Sequence, residues 1–581
     1  MADLGESSCI AEDPENVESV KMETDSNSID PLGQSSAHIN LDRNFTTEIF
    51  KIEVGNLPKC YSVCNLKKFL VKLKLQPKKV RMVPRRNFAF VTFKCEEERQ
   101  LALKTLQNYE WRSKILTAKM AKAKEDPFQQ KKQLENNEET QPNQTQDAMQ
   151  SDANPTERIR DVVTPLWNVP YEKQQTMKHE VMSQVLKKLA KELNSINDVG
   201  RWVKENRTQH GGMCCPLEEL LPSPVFEAYR NKCEFTIGPG FDGIGKAVGF
   251  RLAAYKEGSS AVVEPTECSH IPQAMKDVTH EFQNYIRDSH LDVFDPSTNK
   301  GFWKQLTVRV NLNGDIMCII QISPSQDMEE GEVESEIHKL TKYFEDENRI
   351  KLTSMYVEIS YGRKTDATSG NILKHVLGDR YIFENLCGLK FRISPHAFFQ
   401  VNTKSAEILY KTIQEWSNVS ANTVVLDVCC GTGTIGLSMA KVAQKVIGIE
   451  LCPEAVEDAK FNAESNGISN VEYHCGKAED VIVKTTMALD EEESQVIAIL
   501  DPPRAGCHGK VLQAVRRCTK IQKLIYVSCS PSSVIKDFIS LCRPKSKRTK
   551  GDPFQIMKAL PVDLFPQTRY CELLVLLERS N

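Results

Sequence analysis

No stretch of this 581-residue chain approaches the roughly 18 consecutive apolar residues that a membrane-spanning helix needs, so no membrane association is expected. Its 19 cysteines form no Cys-x-x-Cys pair and follow no regular framework. That excludes a disulfide scaffold and suits reduced thiols in the cytosol, with the nucleus as a second location. The opening residues, "MADLGESSCIAEDPENVES", are acidic and have no apolar core, so neither a secretory signal nor an Arg-rich transit peptide is expected there. A strong charge of one sign is also missing: the formal net charge is −3. Any nucleic-acid contact must therefore come from local basic patches. There is no internal repeat, and a monomer is expected.

Composition changes along the chain divide it. Residues 1–44 are acidic and poor in aromatics, which predicts a disordered tail. Residues 45–124 form a basic module of short apolar runs, and 125–158 a polar linker. A central, mixed β-rich domain is expected over 159–385 and a catalytic domain over 386–581. In the central part, "TVRVNLNGDIMCIIQIS" predicts a hairpin with a type I′ turn at Asn313-Gly314, and "MEEGEVESEIHKLTKYFEDENRI" predicts a helix. From about residue 405, apolar runs such as "TVVLDVCCG", "KVIGIEL", "VIAILDPPR" and "KLIYVSCS" alternate with amphipathic helices. The fold class is therefore α/β and multidomain, with a doubly wound parallel sheet in the last domain.

In the basic module, "IEVGNLP" and "RNFAFVTF" read as strands, the second with Phe88, Phe90 and Phe93 expected on one side. Aromatic rings beside Lys78, Lys79, Arg85 and Arg86 suit RNA, whose bases stack on rings while phosphates meet cations. Arg86 to Phe93 resembles the RNP1 octamer of the RNA-recognition motif, with Asn87 in its glycine position; Glu53 stands where that motif places a second stacking aromatic. The alternative is that the phenylalanines are core and the module binds protein.

"VVLDVCCGTGTIGL" runs strand, glycine turn, helix. Gly431 and Gly433 let the backbone turn sharply beside a ligand, and Glu450 ends the next strand at the spacing of a carboxylate that accepts ribose hydroxyls. Asp427-x-x-x-Gly431-x-Gly433 resembles the S-adenosylmethionine loop of class I (Rossmann-like) methyltransferases. Ala478-Glu479 is a candidate for the adenine side, or an exposed acidic turn; Cys429 and Cys430 read as packing.

"ILDPPRAG" and "YVSCSP" both follow strands, so Asp501 and Cys529 are expected at the carboxyl edge of the sheet, where ligands of such folds bind. Arg504 stands where amino-group methyltransferases carry an aromatic, which argues against that chemistry. A thiolate suits a different reaction. Pyrimidine C5 is too electron-poor to attack a methyl donor until a nucleophile adds at C6, and a base must then remove the C5 proton. Ser532 and Ser533 are expected to open a helix whose amides favour the thiolate. Glu572, just ahead of the apolar run "LLVLLER", is the candidate base.

Together, "TPLWNVPY", "YRNKCEFTIG", "SPHAFFQVN", "LDVCCGTGTIGL", "DPPRAG", "VSCSP" and "FPQT" followed by Glu572 closely resemble the S-adenosylmethionine-dependent RNA uracil-C5 methyltransferases, from about Thr164 to the C-terminus. The N-terminal module resembles the arrangement of the eukaryotic tRNA members. The resemblance implies Cys529 as nucleophile, Glu572 as proton acceptor, and Gln400, Glu450 and Asp501 as ligands of the cofactor or base. It implies S-adenosylmethionine as cofactor, tRNA as partner with the T-loop uridine as target, and Phe398 and Phe399 around a flipped uracil. Tyr570 stands where relatives often carry His. Cys214, Cys215, Cys233 and Cys268 lack the spacing of bacterial iron–sulfur members, so no cluster is expected. An RNA cytosine-C5 methyltransferase remains as an alternative, as does a tRNA-folding protein with secondary methyl transfer.

Overall fold

The computed structural model describes residues 50–58, 63–82, 88–93, 96–112, 114–121, 155–196, 199, 201–241, 245–252, 261–296, 298–325, 327–361, 371–487, 495–547 and 549–579. The chain divides into two compact units, residues 1–139 and 140–581.

The first unit holds strands β1 (Lys51–Gly55), β2 (Lys79–Met82), β3 (Ala89–Thr92) and β4 (Thr117–Met120), with helices α1 (Val63–Lys72) and α2 (Glu96–Leu106). The sheet order is β2-β3-β1-β4, all antiparallel. Strand parity decides which rings are free. Phe93 is 1% exposed and packs in the core with Ile52, Val54 and Val91, whereas Phe90 lies on the opposite face. Side chains alternate with period two, so Phe88 and Phe90 share parity and Phe93 does not. The expected row of three rings is thus a pair, Phe88 and Phe90 meeting edge to face at 5.5 Å. Arg85 and Arg86 lie outside the described residues.

The second unit begins with α3 (Pro155–Val163), α4 (Tyr171–Asn194) and α5 (Arg201–Gln209). A seven-stranded sheet follows, from β5 (Lys232–Pro239), β6 (Lys246–Arg251), β7 (Val262–Val263), β8 (Trp303–Val310), β9 (Ile316–Ile322), β10 (Ser354–Ile359) and β11 (Ile372–Gly378), with α6 (Gln273–Asp288) and α7 (Glu330–Glu345). The β8–β9 hairpin forms as expected, but its turn is not type I′. Only Gly314 has positive φ there, and the Asn311 side chain accepts from Asn313 N and Asp315 N to close a five-residue loop.

The hairpin β12 (Ile382–Leu386)–β13 (Leu389–Ile393) spans the expected 385/386 boundary and leads to α8 (Thr403–Ser417). A second seven-stranded sheet then forms from β14 (Thr423–Val428), β15 (Lys445–Glu450), β16 (Val471–Cys475), β17 (Gln495–Leu500), β18 (Ile521–Ser528), β19 (Phe554–Val562) and β20 (Glu572–Arg579). Its helices are α9 (Thr434–Ala440), α10 (Pro453–Ser465), α11 (Ala478–Met487), α12 (Gly509–Arg517) and α13 (Ile535–Cys542). The order is β16-β15-β14-β17-β18-β20-β19; the first five strands are parallel and β20 runs antiparallel between β18 and β19.

Alternate residues of these strands feed two cores. Leu426, Ala498 and Tyr526 point into one, closed by α4, α12 and α13; Val425, Ile499 and Ile525 point into the other. The second core also takes Met317, Ile319 and Tyr356 from the central sheet, so both sheets share buried surface. Burial on both faces explains why these strands read as continuous apolar runs. The chain order reverses between β14 and β17, and ligands of such sheets bind at the carboxyl ends beside that switch. Among the described residues no helix is long and apolar enough to cross a membrane.

Candidate active site

Five sequence motifs converge at the carboxyl edge. β14 runs into the turn Cys429 to Gly433, β15 ends on Glu450, β17 delivers Asp501, and β18 delivers Cys529. β20 runs the other way, so its first residue, Glu572, lies at this same edge. Leu573 pairs with Ser528 and Glu572 pairs with Val562, which sets Glu572 beside the end of β18.

The glycine turn is built for close approach. Gly431 (φ +54°) and Gly433 (φ +80°) occupy the left-handed region, and Cys429 joins them at φ +65°. A Cβ on Gly433 would stand 2.5 Å from Tyr473 Oη, while one on Gly431 would meet nothing within 4 Å. The open side of the turn is therefore at Gly431. Glu450 is fixed against it: one carboxylate oxygen accepts from Gly431 N at 3.0 Å, the other from Leu451 N and Cys452 N. Asp427 accepts from Gly436 N at 2.8 Å through Oδ2, while its buried Oδ1 has no partner among the described residues. Burial pushes the Asp427 carboxyl up to about 7, opposed by the Gly436 bond.

Asp501, Arg504, Cys529 and Glu572 form one electrostatic cluster. Burial raises the Cys529 thiol, and the charges of Glu572 and Asp501 raise it further. Arg504 opposes them, its nearby cation and donor groups favouring the thiolate. Glu572 is 3% exposed, its Oε2 lacks a partner among the described residues, and burial lifts its carboxyl well above the usual range, with Asp501 adding and Arg504 opposing. Asp501 keeps part of its surface in solvent, yet loss of hydration there and the nearby Asp427 charge push it up to about 7. Two carboxyls whose pKa values burial raises, set around a thiol beside a cation, make an arrangement suited to proton transfer.

Arg504 was read in the sequence only for what it excluded; its position beside the thiol depends on the fold of "DPPRAG". Asp537 sets that fold by accepting from Cys507 N and Tyr526 Oη, both at 2.7 Å. A side chain on Gly506 would strike Asp537 Oδ2. The expected helix opening at Ser532 and Ser533 is corrected: these residues form a turn, α13 is capped at Val534, and its first-turn carboxylate is Asp537. The group that lowers the Cys529 thiol is Arg504.

Gln400 is buried in the segment before α8. Asn231 donates to its carbonyl at 2.8 Å, and Arg309 holds the neighbouring Ala397 carbonyl at 2.7 Å. Asn402 caps α8 and donates to Leu564 O at 3.3 Å, joining the Gln400 segment to the hairpin ahead of Glu572. Phe399 is corrected: at 2% exposure it packs near Phe391 in the core and cannot face a base, whereas Phe398 is 65% exposed. Glu479 is half-buried in the first turn of α11, 3.5 Å from His508. Among the described residues no group of three or more His, Cys, Asp or Glu could hold a metal ion.

A family model described as tRNA (Uracil-5-)-methyltransferase matches residues 373–580. The chain is 45% identical over 540 residues to human tRNA (uracil-5-)-methyltransferase homolog A, covering 93% of this chain and 84% of that one. It is 38% identical over 427 residues to human homolog B, covering 73% and 84%. The match with homolog A must run into the first unit, since the second holds only residues 140–581. Among solved structures, Pyrococcus abyssi tRNA (uracil-54, C5)-methyltransferase in complex with S-adenosyl-L-homocysteine shares the fold, with TM-score 0.50 and 20% identity over 72% of this chain and 86% of that one.

Proposed function

The chain belongs to the tRNA (uracil-5-)-methyltransferase family, and on that premise we propose that it methylates C5 of a uridine in tRNA, the T-loop uridine, by covalent catalysis through Cys529 and Glu572. The observation that carries this mechanism is the shared environment of those two residues, each shifting or shifted by the other's neighbours Asp501 and Arg504.

The residues of the glycine turn fit S-adenosylmethionine. Asp427 Oδ1 and Thr432 Oγ1 are buried polar atoms without partners among the described residues, and the side of Gly431 is open. Glu450 would accept from the ribose, with Gly431 and Gly433 lining the approach and Gln400 and Asp501 closing it. When bound, the cofactor supplies an electrophilic methyl that C5 takes once it is electron-rich.

Arg504 favours the Cys529 thiolate, whose sulfur forms a bond to C6. The C5–C6 π electrons move toward C4 and its oxygen, and Asp501, near half protonation at neutral pH, can donate a hydrogen bond to that developing charge. After C5 carries the methyl, Glu572 removes its proton. The C5–H electron pair reforms the C5–C6 double bond, the C6–sulfur bond breaks, and the thiolate returns.

The first unit supports RNA contact through one transverse row of its sheet. Arg81, Phe90, Glu53 and Lys119 pair in register across four strands. Lys119 neutralises Glu53 at 3.0 Å, and Lys51 lies 4.9 Å from the Phe90 ring centre. Phe90 and Phe88 are the stacking rings and the cations meet phosphates.

The test is to incubate Glu572→Gln with S-adenosylmethionine and tRNA. An adduct of protein and RNA that survives denaturation, absent from Cys529→Ala, is expected. Intact wild-type methylation without such an adduct would reject this assignment of nucleophile and base.

A further inference from the structure

Helix α4 presents Tyr171, Gln174 and Lys178 at i, i+3 and i+7, the spacing of one helix face. All three meet the Asp563 to Cys571 hairpin that joins β19 to β20, hundreds of positions away in sequence. Lys178 Nζ lies 2.7 Å from Asp563 Oδ1, with the two side chains 1% and 0% exposed, and donates to Phe565 O at 2.9 Å. Tyr171 Oη donates to Asp563 Oδ2 at 3.2 Å and accepts from Ser223 N. Gln174 Oε1 accepts from Gln567 N at 2.7 Å, where the backbone is left-handed at φ +64°.

We propose that Lys178 is a positioning residue: through Asp563 it fixes the hairpin that sets Glu572 against the C5 proton. Asp563 directly follows Val562, the cross-strand partner of Glu572, so movement of Asp563 moves the strand end opposite the base. Cys571, next to Glu572, senses the charges of both Asp563 and Lys178. A buried ion pair is a poor source of stability, since apolar residues of similar volume serve as well. It does impose one geometry, because each partner must be met from a fixed direction. The pair also leaves Asp563 neutralised; without Lys178, a buried anion would stand one residue from the strand pair that bears the base.

The consequence is specific to one step. This inference rests on the covalent mechanism above, in which Glu572 acts only after the sulfur–C6 bond has formed. Lys178→Met should therefore form the adduct but release it slowly. The experiment mixes the full-length variant with S-adenosylmethionine and tRNA, quenches into detergent over time, and follows the denaturation-resistant band. Its formation rate should stay within a few-fold of wild type while its decay slows about ten-fold or more, which corresponds to about 1.4 kcal/mol lost from the proton-abstraction transition state when the carboxylate is misplaced. Partial unfolding would lower the amount of adduct but not its decay constant. Tyr171→Phe, which keeps the ion pair, should slow decay less, and Lys178→Met/Asp563→Asn supplies a neutral pair if the single variant does not fold. Wild-type decay in both Lys178 variants would overturn the proposal. If Glu572→Gln itself traps no adduct, the mechanism fails, not the positioning role alone.

Discussion

Glu450 accepts the backbone N–H of Gly431 at 3.0 Å, so the carboxylate at the end of β15 and the turn after β14 form one unit. A side chain already oriented in this way presents its remaining acceptor capacity in a fixed direction. Glu450→Ala should weaken S-adenosylmethionine binding by about 1.5–3 kcal/mol, the value of a hydrogen bond to a charged group. Titration calorimetry checks this, and unchanged affinity would mean the ribose lies elsewhere.

The two glycines of that turn should separate stability from binding. Gly433→Ala forces a Cβ toward Tyr473 Oη in a left-handed backbone, and should cost at least about 1–3 kcal/mol, read as a lower Tm. Gly431→Ala meets no atom, so its cost should stay near the left-handed backbone penalty of about 1–2 kcal/mol. Its loss should fall on cofactor affinity instead. Equal Tm losses in the two variants would contradict this division.

Arg504 holds down a thiol that burial and two carboxylates raise. Because the Cys529 pKa lies above its ordinary value, the thiolate fraction is small at neutral pH and reactivity should climb as pH rises. Arg504→Met removes the one opposing influence, so the profile should move to higher pH, with Arg504→Lys between. Alkylation of the Cys529 peptide by iodoacetamide across a pH series measures this. Superimposable profiles would show that the guanidinium does not act on the thiol.

In the first unit, Phe93→Ala should destabilise the module by about 3–5 kcal/mol, since the ring is fully packed. Phe90→Ala should leave its unfolding unchanged and cost about 1–3 kcal/mol in binding single-stranded RNA. Fluorescence titration of the full chain, beside thermal unfolding, distinguishes the two. Equal RNA affinity for Phe90→Ala and wild type would move the contact off this sheet face.

Phe93 differs in parity from Phe88 and Phe90, so the spacing itself sends it to the core face. The other departures from the sequence reading come from context beyond the local pattern. Asn313-Gly314 is a strong hairpin signal, yet the Asn311 side chain organises a longer loop around Gly314. The family resemblance implies Phe399 at the pocket together with Phe398, but core packing claims it. Asp537 gave no local signal at all, since its partners, Cys507 and Tyr526, come from other segments.

The sequence by itself determined the strands, the glycine turn with its downstream carboxylate, and the chemical identity of the thiol and the acid. Those features are local: apolar periodicity, residues able to take positive φ, and side chains with the necessary reactivity. Only the tertiary structure decided that Arg504 attends Cys529, that Glu572 sits buried opposite the end of β18, and that Lys178 grips the hairpin before it. Charge and hydrogen-bond energies depend on distance and on excluded water, and both are set when separate segments pack together.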